Sequence, residues 1–116
     1  MTKLSIDLQA LSEIKQLSAS QKAEIFTIFE LSDNNDLTLA GKLAAKKAFL
    51  KCLSISTKYH ATLYPNIEIK RLDSGRPFIE TSSPLLLKKL SKHKISISIS
   101  HTKDIAIAVC IIYNKR

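Results

Sequence analysis

Five lysines, Lys42, Lys46, Lys47, Lys51 and Lys58, and one histidine, His60, stand between Leu37 and Ile67 with no Asp or Glu among them. Four of the lysines fall in LAGKLAAKKAFLKCL, whose pattern is helical. Lys42 with Lys46, and Lys47 with Lys51, are spaced four apart, so each pair shares a helix face and repels by roughly a few tenths of a kcal/mol. No acidic residue close in sequence relieves them. The pattern fits two readings, a solvated basic face or a surface that receives an anion.

The elements that must carry these lysines can be read from period and punctuation. Leu4, Ile6 and Leu8 alternate with polar neighbours and predict a short opening strand ending around Asp7; Leu8, Leu11, Ile14 and Leu17 then recur at helical spacing. Ser18 with Gln21, and Thr27 with Glu30, are capping-box pairs that would break this region into several helical turns. Asp33 to Asp36 form a loop whose last residue can cap the lysine helix, which is expected to run to about Leu53. The stretch from Ser54 to Pro65 carries little signal. Ile67 and Ile69, a turn at Asp73-Ser74-Gly75, and Pro77 to Ile79 predict a hairpin. Ser83 caps a short helix with Pro84 at its first position and Leu85 to Leu90 as its body. Alternation in Ile95, Ile97 and Ile99, a turn at His101 to Asp104, and a second alternating run from Ile105 to Tyr113 close the chain as two antiparallel strands with one half-buried face.

Global properties narrow the function. The 116 residues, 45% hydrophobic, suit a single domain with one core, 1-116, of mixed α+β plan. A formal charge of +8 favours an acidic partner: nucleic acid, a phosphorylated cofactor, an anionic membrane or an acidic protein. Aromatics make up only 6% of the chain and Trp is absent, which argues against a stacking nucleic-acid module; only Phe49, Tyr59 and Tyr64 lie near the lysines, and Phe49 is expected in the core. Alanines stand on the basic helix where a membrane-surface helix needs deep apolar anchors. Cys52 and Cys110 lack metal-ligand spacing and sit in apolar runs, so buried reduced thiols are expected. Together with the lack of an export-type leader at Met1 to Asp7, that points to a cytoplasmic protein.

The helix LAGKLAAKKAFLKCL, the hairpin NIEIKRLDSGRPFIE and the closing pair ISISHTKDIAIAVCII, in that order, resemble the small holo-acyl-carrier-protein synthases, a branch of the 4′-phosphopantetheinyl transferases. Ile6-Asp7 and the segment Phe26 to Leu31 extend the likeness over nearly the whole chain. The resemblance implies a 4′-phosphopantetheinyl transferase-like fold, a small antiparallel sheet packed with helices, assembled as a homotrimer with sites between subunits. It implies transfer of the phosphopantetheine arm of coenzyme A to a serine of an apo acyl carrier protein, with release of 3′,5′-adenosine bisphosphate. By position, Lys42 and Lys51 match residues that hold coenzyme A phosphates, and Lys46 matches the basic residue of the central motif, expected as a supporting charge toward the cofactor; Gly75, Arg76 and Pro77 match a loop near the cofactor, and His101 with Thr102 a strand-end pair near the nucleotide.

The departures are as informative. The family holds Mg²⁺ between an Asp after the first strand and a Glu in the central helix; Asp7 stands in the first place and Lys47 in the second. An ammonium there would repel a hard divalent cation. It could instead pair with Asp7 in the place of the metal and supply part of the ion's charge to the pyrophosphate, which makes Asp7, Lys47 and Lys51 the candidate catalytic set and Asp7 the candidate metal ligand. A water held by Asp7 is the candidate proton acceptor. Glu68 and Asp104, the other acids near matched motifs, are expected as solvated surface groups. Glu13 occupies a position where the family commonly presents an arginine to the carrier, leaving Lys15, Lys22 and the tail Lys115-Arg116 for docking. Ser54-Ile55-Ser56 replaces family glycines, at a cost wherever positive φ is needed. A paralogue that binds coenzyme A or a carrier without turnover is the alternative reading, and a nucleic-acid-binding module the third.

Overall fold

Residues 2–33 and 35–114 are described by the computed structural model. In chain order the elements are β1 (Thr2–Ala10), α1 (Leu11–Lys15), α2 (Ala19–Ile25), α3 (Ile28–Leu31), α4 (Asp36–Cys52), α5 (His60–Leu63), β2 (Ile67–Arg71), β3 (Pro77–Thr81), α6 (Pro84–Leu90), β4 (His93–His101) and β5 (Ile105–Asn114), with single 3₁₀ turns at Thr57–Tyr59 and Tyr64–Asn66. β1, β5 and β4 form an antiparallel sheet in that spatial order, and β2 with β3 form the expected hairpin. The chain is α+β. No helix among the described residues is long and apolar enough to cross a membrane.

Strand alternation explains where the core lies. Ala106, Ala108, Cys110 and Ile112 of β5, with Ile97 of β4, turn one face of the sheet toward α4 and are buried. Ala40, Ala44, Ala45 and Ala48 of α4 are buried as well, and these small side chains let helix and sheet approach closely while Phe49 and Leu50 fill the space around them. Each of the two larger side chains contributes about 1.5–3 kcal/mol by leaving water. Gly41 marks the tightest approach, since a Cβ there would come within 2.9 Å of Ile99 Cγ2. The opposite face of the sheet carries Leu4, Ile6 and Leu8, each about half exposed at 50–55%, opposite Ile111, Val109 and Ile107 of β5. An apolar sheet face thus stands open to solvent.

Several local expectations hold. Both capping boxes form, Ser18 with Gln21 and Thr27 with Glu30, and each starts a separate short helix. Ser83 accepts from the Leu86 N–H and Pro84 opens α6. Three expectations are corrected. β1 runs on to Ala10, past Asp7, because its pairing with β5 continues through Ala10 and Ile105; Leu8 therefore belongs to the strand. The cap of α4 is Asn35, whose side chain accepts from the Leu37 and Thr38 N–H groups, and Asp36 is the first helical residue. The weak stretch after Ser54 folds as consecutive short turns about α5.

The end of α4 stores backbone strain. The Ile55 N–H donates to the Leu50 carbonyl and the Ser54 N–H to the Lys51 carbonyl, both at 3.0 Å, which is a Schellman closure. That closure needs a left-handed residue, and Ser54 supplies it at φ 60°. Glycine would adopt this conformation without the Cβ clash, worth about 1 kcal/mol. Ser54→Gly is expected to raise the unfolding free energy from urea titration by that amount, less the small contribution of the exposed Lys3 ammonium that donates to the Ser54 hydroxyl. An unchanged or lower value would show that the strain is relieved in some other way.

Candidate active site

The face of β1 that turns toward α4 carries Lys3, Ser5, Asp7 and Gln9, and above it α4 presents Lys47 and Lys51 one turn apart. β1 is an edge strand, so the Ile6 and Leu8 carbonyls, two residues apart and of the same parity, point out of the sheet. The two lysines satisfy them: Lys51 Nζ donates to the Ile6 oxygen at 2.9 Å and Lys47 Nζ to the Leu8 oxygen at 2.9 Å. Lys47 also donates to Gln9 Oε1 at 2.7 Å. Asp7 lies between them, with Oδ2 at 3.4 Å from Lys51 Nζ and Oδ1 at 3.8 Å from Lys47 Nζ, and it accepts the Leu8 N–H at 2.8 Å. The result is one carboxylate against two ammonium groups, a site with net positive charge. Lys51 makes a single hydrogen bond and is 46% exposed, leaving N–H groups free for an incoming anion.

Lys46 behaves otherwise, and the expectation that it is a supporting charge toward the cofactor is corrected. Its side chain is fully buried, and its three N–H groups go to Glu30 Oε1 at 2.7 Å, the Ile25 carbonyl at 2.7 Å and the Tyr64 carbonyl at 2.9 Å. No donor remains for a phosphate. Burial pulls this ammonium below the ordinary lysine value, and the Glu30 carboxylate counters the shift. Glu30 in turn accepts the Ile69 N–H at 2.8 Å and the Thr27 N–H at 2.9 Å, so one buried carboxylate ties α3, α4 and β2 together. The lysines are therefore not all awaiting an anion; carboxylates far off in sequence already face three of them.

The other expected residues lie apart from this cluster. Lys42, only 8% exposed, lines a hollow of about 230 Å³ with Phe29, Asp33, Lys70 and Arg71. Gly75 turns the hairpin at φ 90°, and its carbonyl accepts from Arg71 at 2.8 Å. Arg76 Nη2 donates to Ser96 Oγ of β4 at 3.2 Å, and Arg76 and Pro77 border a hollow of about 290 Å³ walled by Leu90 and Ile95. His101 is exposed at the end of β4, and Thr102 braces the β4–β5 turn by accepting the Asp104 and Ile105 N–H groups. His101 pairs with Ala106, which pairs with Gln9, so two strand spacings, about 10 Å, separate it from β1. Within one protomer the predicted residues form separate groups: Asp7, Lys47 and Lys51 at the β1 edge, Lys42 beside β2, and Arg76 and His101 on the β4 side.

Sequence reasoning missed Gln9 and the second role of Glu30. Alternation continued past Asp7 would have placed Gln9 beside Lys47, and the capping box had already singled out Glu30. Tyr64 was noted only for its ring. Burial, and after it the charge of Asp7, pushes its hydroxyl above the usual tyrosine range. Glu68, expected in solvent, accepts from Thr27 Oγ1 at 2.8 Å, whereas Asp104 is exposed as expected. Lys22 is engaged with Asp36 at 2.9 Å, so it is not the free docking cation expected; Lys15 is exposed, and Lys115 and Arg116 lie outside the described residues. Cys52 and Cys110 are free and buried, and burial with the neighbouring Cys52 raises the Cys110 thiol far above reactive values.

Helices packed on one face of a small antiparallel sheet, with an acid and lysines joined at its edge, define an α+β protein with a positively charged sheet edge. The holo-acyl-carrier-protein synthase of Clostridium kluyveri is 31% identical over 118 residues, covering 93% of this chain and 87% of its own. That of Dehalococcoides mccartyi is 33% identical over 110 residues, covering 85% and 90%. Among solved structures, the Chronobacterium ammoniagenes ACPS-CoA complex superposes with a TM-score of 0.80 at 22% identity, covering 100% of this chain and 99% of that one. Helicobacter pylori holo-acyl-carrier-protein synthase in complex with coenzyme A gives 0.76 at 23% identity, covering 95% and 99%. No family model matches the chain. On these likenesses, the chain belongs to the holo-acyl-carrier-protein synthase family.

Proposed function

We infer that the protein transfers the 4′-phosphopantetheine arm of coenzyme A to a serine of an apo acyl carrier protein. Membership of the family supports the reaction, and the meeting of Asp7, Lys47 and Lys51 at the edge of β1 is the observation that carries the assignment of residues. The serine oxygen bonds to the phosphorus that bears the pantetheine, the bond from that phosphorus to the bridging oxygen breaks, and its electron pair leaves with 3′,5′-adenosine bisphosphate. The serine proton passes to a water beside Asp7 and on to solvent. Lys51 donates to a non-bridging phosphate oxygen, and its charge offsets the negative charge that builds on the phosphates. Lys15 supplies a contact to the acidic carrier.

Arg76 and His101, on the β4 side, complete the site from a neighbouring copy. The exposed apolar face of Leu4, Ile6 and Leu8 supports this, because a head-to-tail ring of copies covers it and brings the β1 edge of one protomer to the β4 end of the next. A homotrimer is the assembly so proposed. The test is to incubate the full chain with coenzyme A and an apo carrier and weigh the carrier by mass spectrometry. A gain of one phosphopantetheine arm is expected. Lys47, standing where the resemblance puts a carboxylate, favours the second reading of a member that binds without turnover, and an unmodified carrier beside tight coenzyme A binding would select it.

A further inference from the structure

The residues around Asp7 do not fit the magnesium ion that the family resemblance implies. Magnesium takes an octahedron of oxygens at about 2.0–2.1 Å, usually one or two carboxylates with substrate phosphates and waters, so the charge around the carboxylate decides whether it fits. Asp7 is the one carboxylate at the β1 edge, and two ammonium groups already face it, Lys51 at 3.4 Å and Lys47 at 3.8 Å. A divalent cation added there would meet two positive charges for one negative. Lys47 is also not a loose surface chain that could swing aside. The Leu8 carbonyl at 2.9 Å and Gln9 Oε1 at 2.7 Å hold its ammonium on β1, and Gln9 is itself only 5% exposed.

We propose that Lys47 is a built-in cation: its ammonium, fixed beside Asp7 by Gln9 and Leu8, supplies to the coenzyme A pyrophosphate the charge that a bound divalent metal would supply. Transfer then proceeds without a divalent metal. An ammonium held in place reorganises little as charge builds on the phosphates, which is the condition for strong electrostatic stabilisation. Leu8 and Gln9 take two of its three N–H groups, and the third, with Asp7 Oδ1 no nearer than 3.8 Å, is the one that turns to the pyrophosphate. The proposal rests on the transfer reading given above, and its test separates the two.

Holo-carrier formation by the native chain is followed by mass spectrometry with Mg²⁺ and with EDTA. In parallel, Mn²⁺ is titrated by electron paramagnetic resonance into protein with coenzyme A, against coenzyme A alone. Native rates in the two conditions are expected to agree within about twofold, with no Mn²⁺ bound beyond that taken by coenzyme A. Lys47→Glu is expected to bind Mn²⁺ and to lose about 100-fold in rate when EDTA is present, a loss that Mg²⁺ reverses. Strong EDTA inhibition of the native chain, or tight Mn²⁺ binding to it, would overturn the proposal. If Lys47→Glu does not fold, Lys47→Met answers in its place: transfer in EDTA falls about 100-fold, and an unaltered rate would refute the role. If no condition yields holo-carrier, the transfer reading fails separately. Coenzyme A affinity then decides: equal values in Mg²⁺ and EDTA, with a loss in Lys47→Met, support the built-in cation, and affinity that requires Mg²⁺ refutes it.

Discussion

Replacing Lys51 with alanine is expected to lower kcat/KM for holo-carrier formation by about 100- to 1,000-fold, the scale on which a donor aimed at developing charge acts. Of the two lysines at the β1 edge, Lys51 is the more exposed and makes the fewer hydrogen bonds, one to the Ile6 carbonyl, so it has the most to offer an incoming phosphate. Its ion pair with Asp7 at 3.4 Å is solvent-facing and contributes little to stability, so Lys51→Ala should fold with an unchanged urea midpoint. Lys51→Arg should recover part of the loss, since the guanidinium keeps the charge but changes the donor geometry. His101→Ala is expected to be impaired too, from the far edge of the sheet. Mixing the two variants and allowing exchange of subunits should restore activity if one site takes Lys51 from one copy and His101 from the next. A Lys51→Ala enzyme within about threefold of native would remove Lys51 from the chemistry.

Glu30→Ala is expected to be the most damaging substitution for stability, at about 3–5 kcal/mol. It leaves the Lys46 ammonium charged in the interior without its carboxylate, and it strips the Ile69 and Thr27 N–H groups of their acceptor. Against a total stability of roughly 5–15 kcal/mol for a domain, that loss puts the variant near unfolding at ambient temperature. A double replacement, Glu30→Leu with Lys46→Met, removes both charges at similar volume and should regain only the part of the loss due to the unpaired charge, because the Ile69 and Thr27 N–H groups and the Ile25 and Tyr64 carbonyls then lack their partners. A Glu30→Ala unfolding free energy within about 1 kcal/mol of native would mean that water or a rearranged Lys46 satisfies the interior.

These two residues also mark how much of the molecule could be read along the chain. The capping pair Thr27 and Glu30 was legible because its partners are three residues apart, and so were Ser18 with Gln21, the Gly75 turn, Pro84 and the alternating strands after Ile95. The left-handed demand at Ser54 was visible as a serine standing where glycine is easier. The fates of Lys46, Lys47 and Lys51 were not legible. A helical wheel sets Lys46 on one face and Lys47 with Lys51 on another without saying which face is buried, yet one is sealed against Glu30 and two reach a strand some forty residues earlier.

Residue types and short spacings thus determined the inventory: a lysine-bearing helix, a hairpin, a closing strand pair and the family to which they belong. Propensity, capping and alternation act over a few residues and are written locally. Tertiary structure alone decided which ammonium is buried, which is held beside Asp7 and which faces solvent, since those outcomes depend on burial and on acceptors that arrive only when β1 and α3 pack against α4.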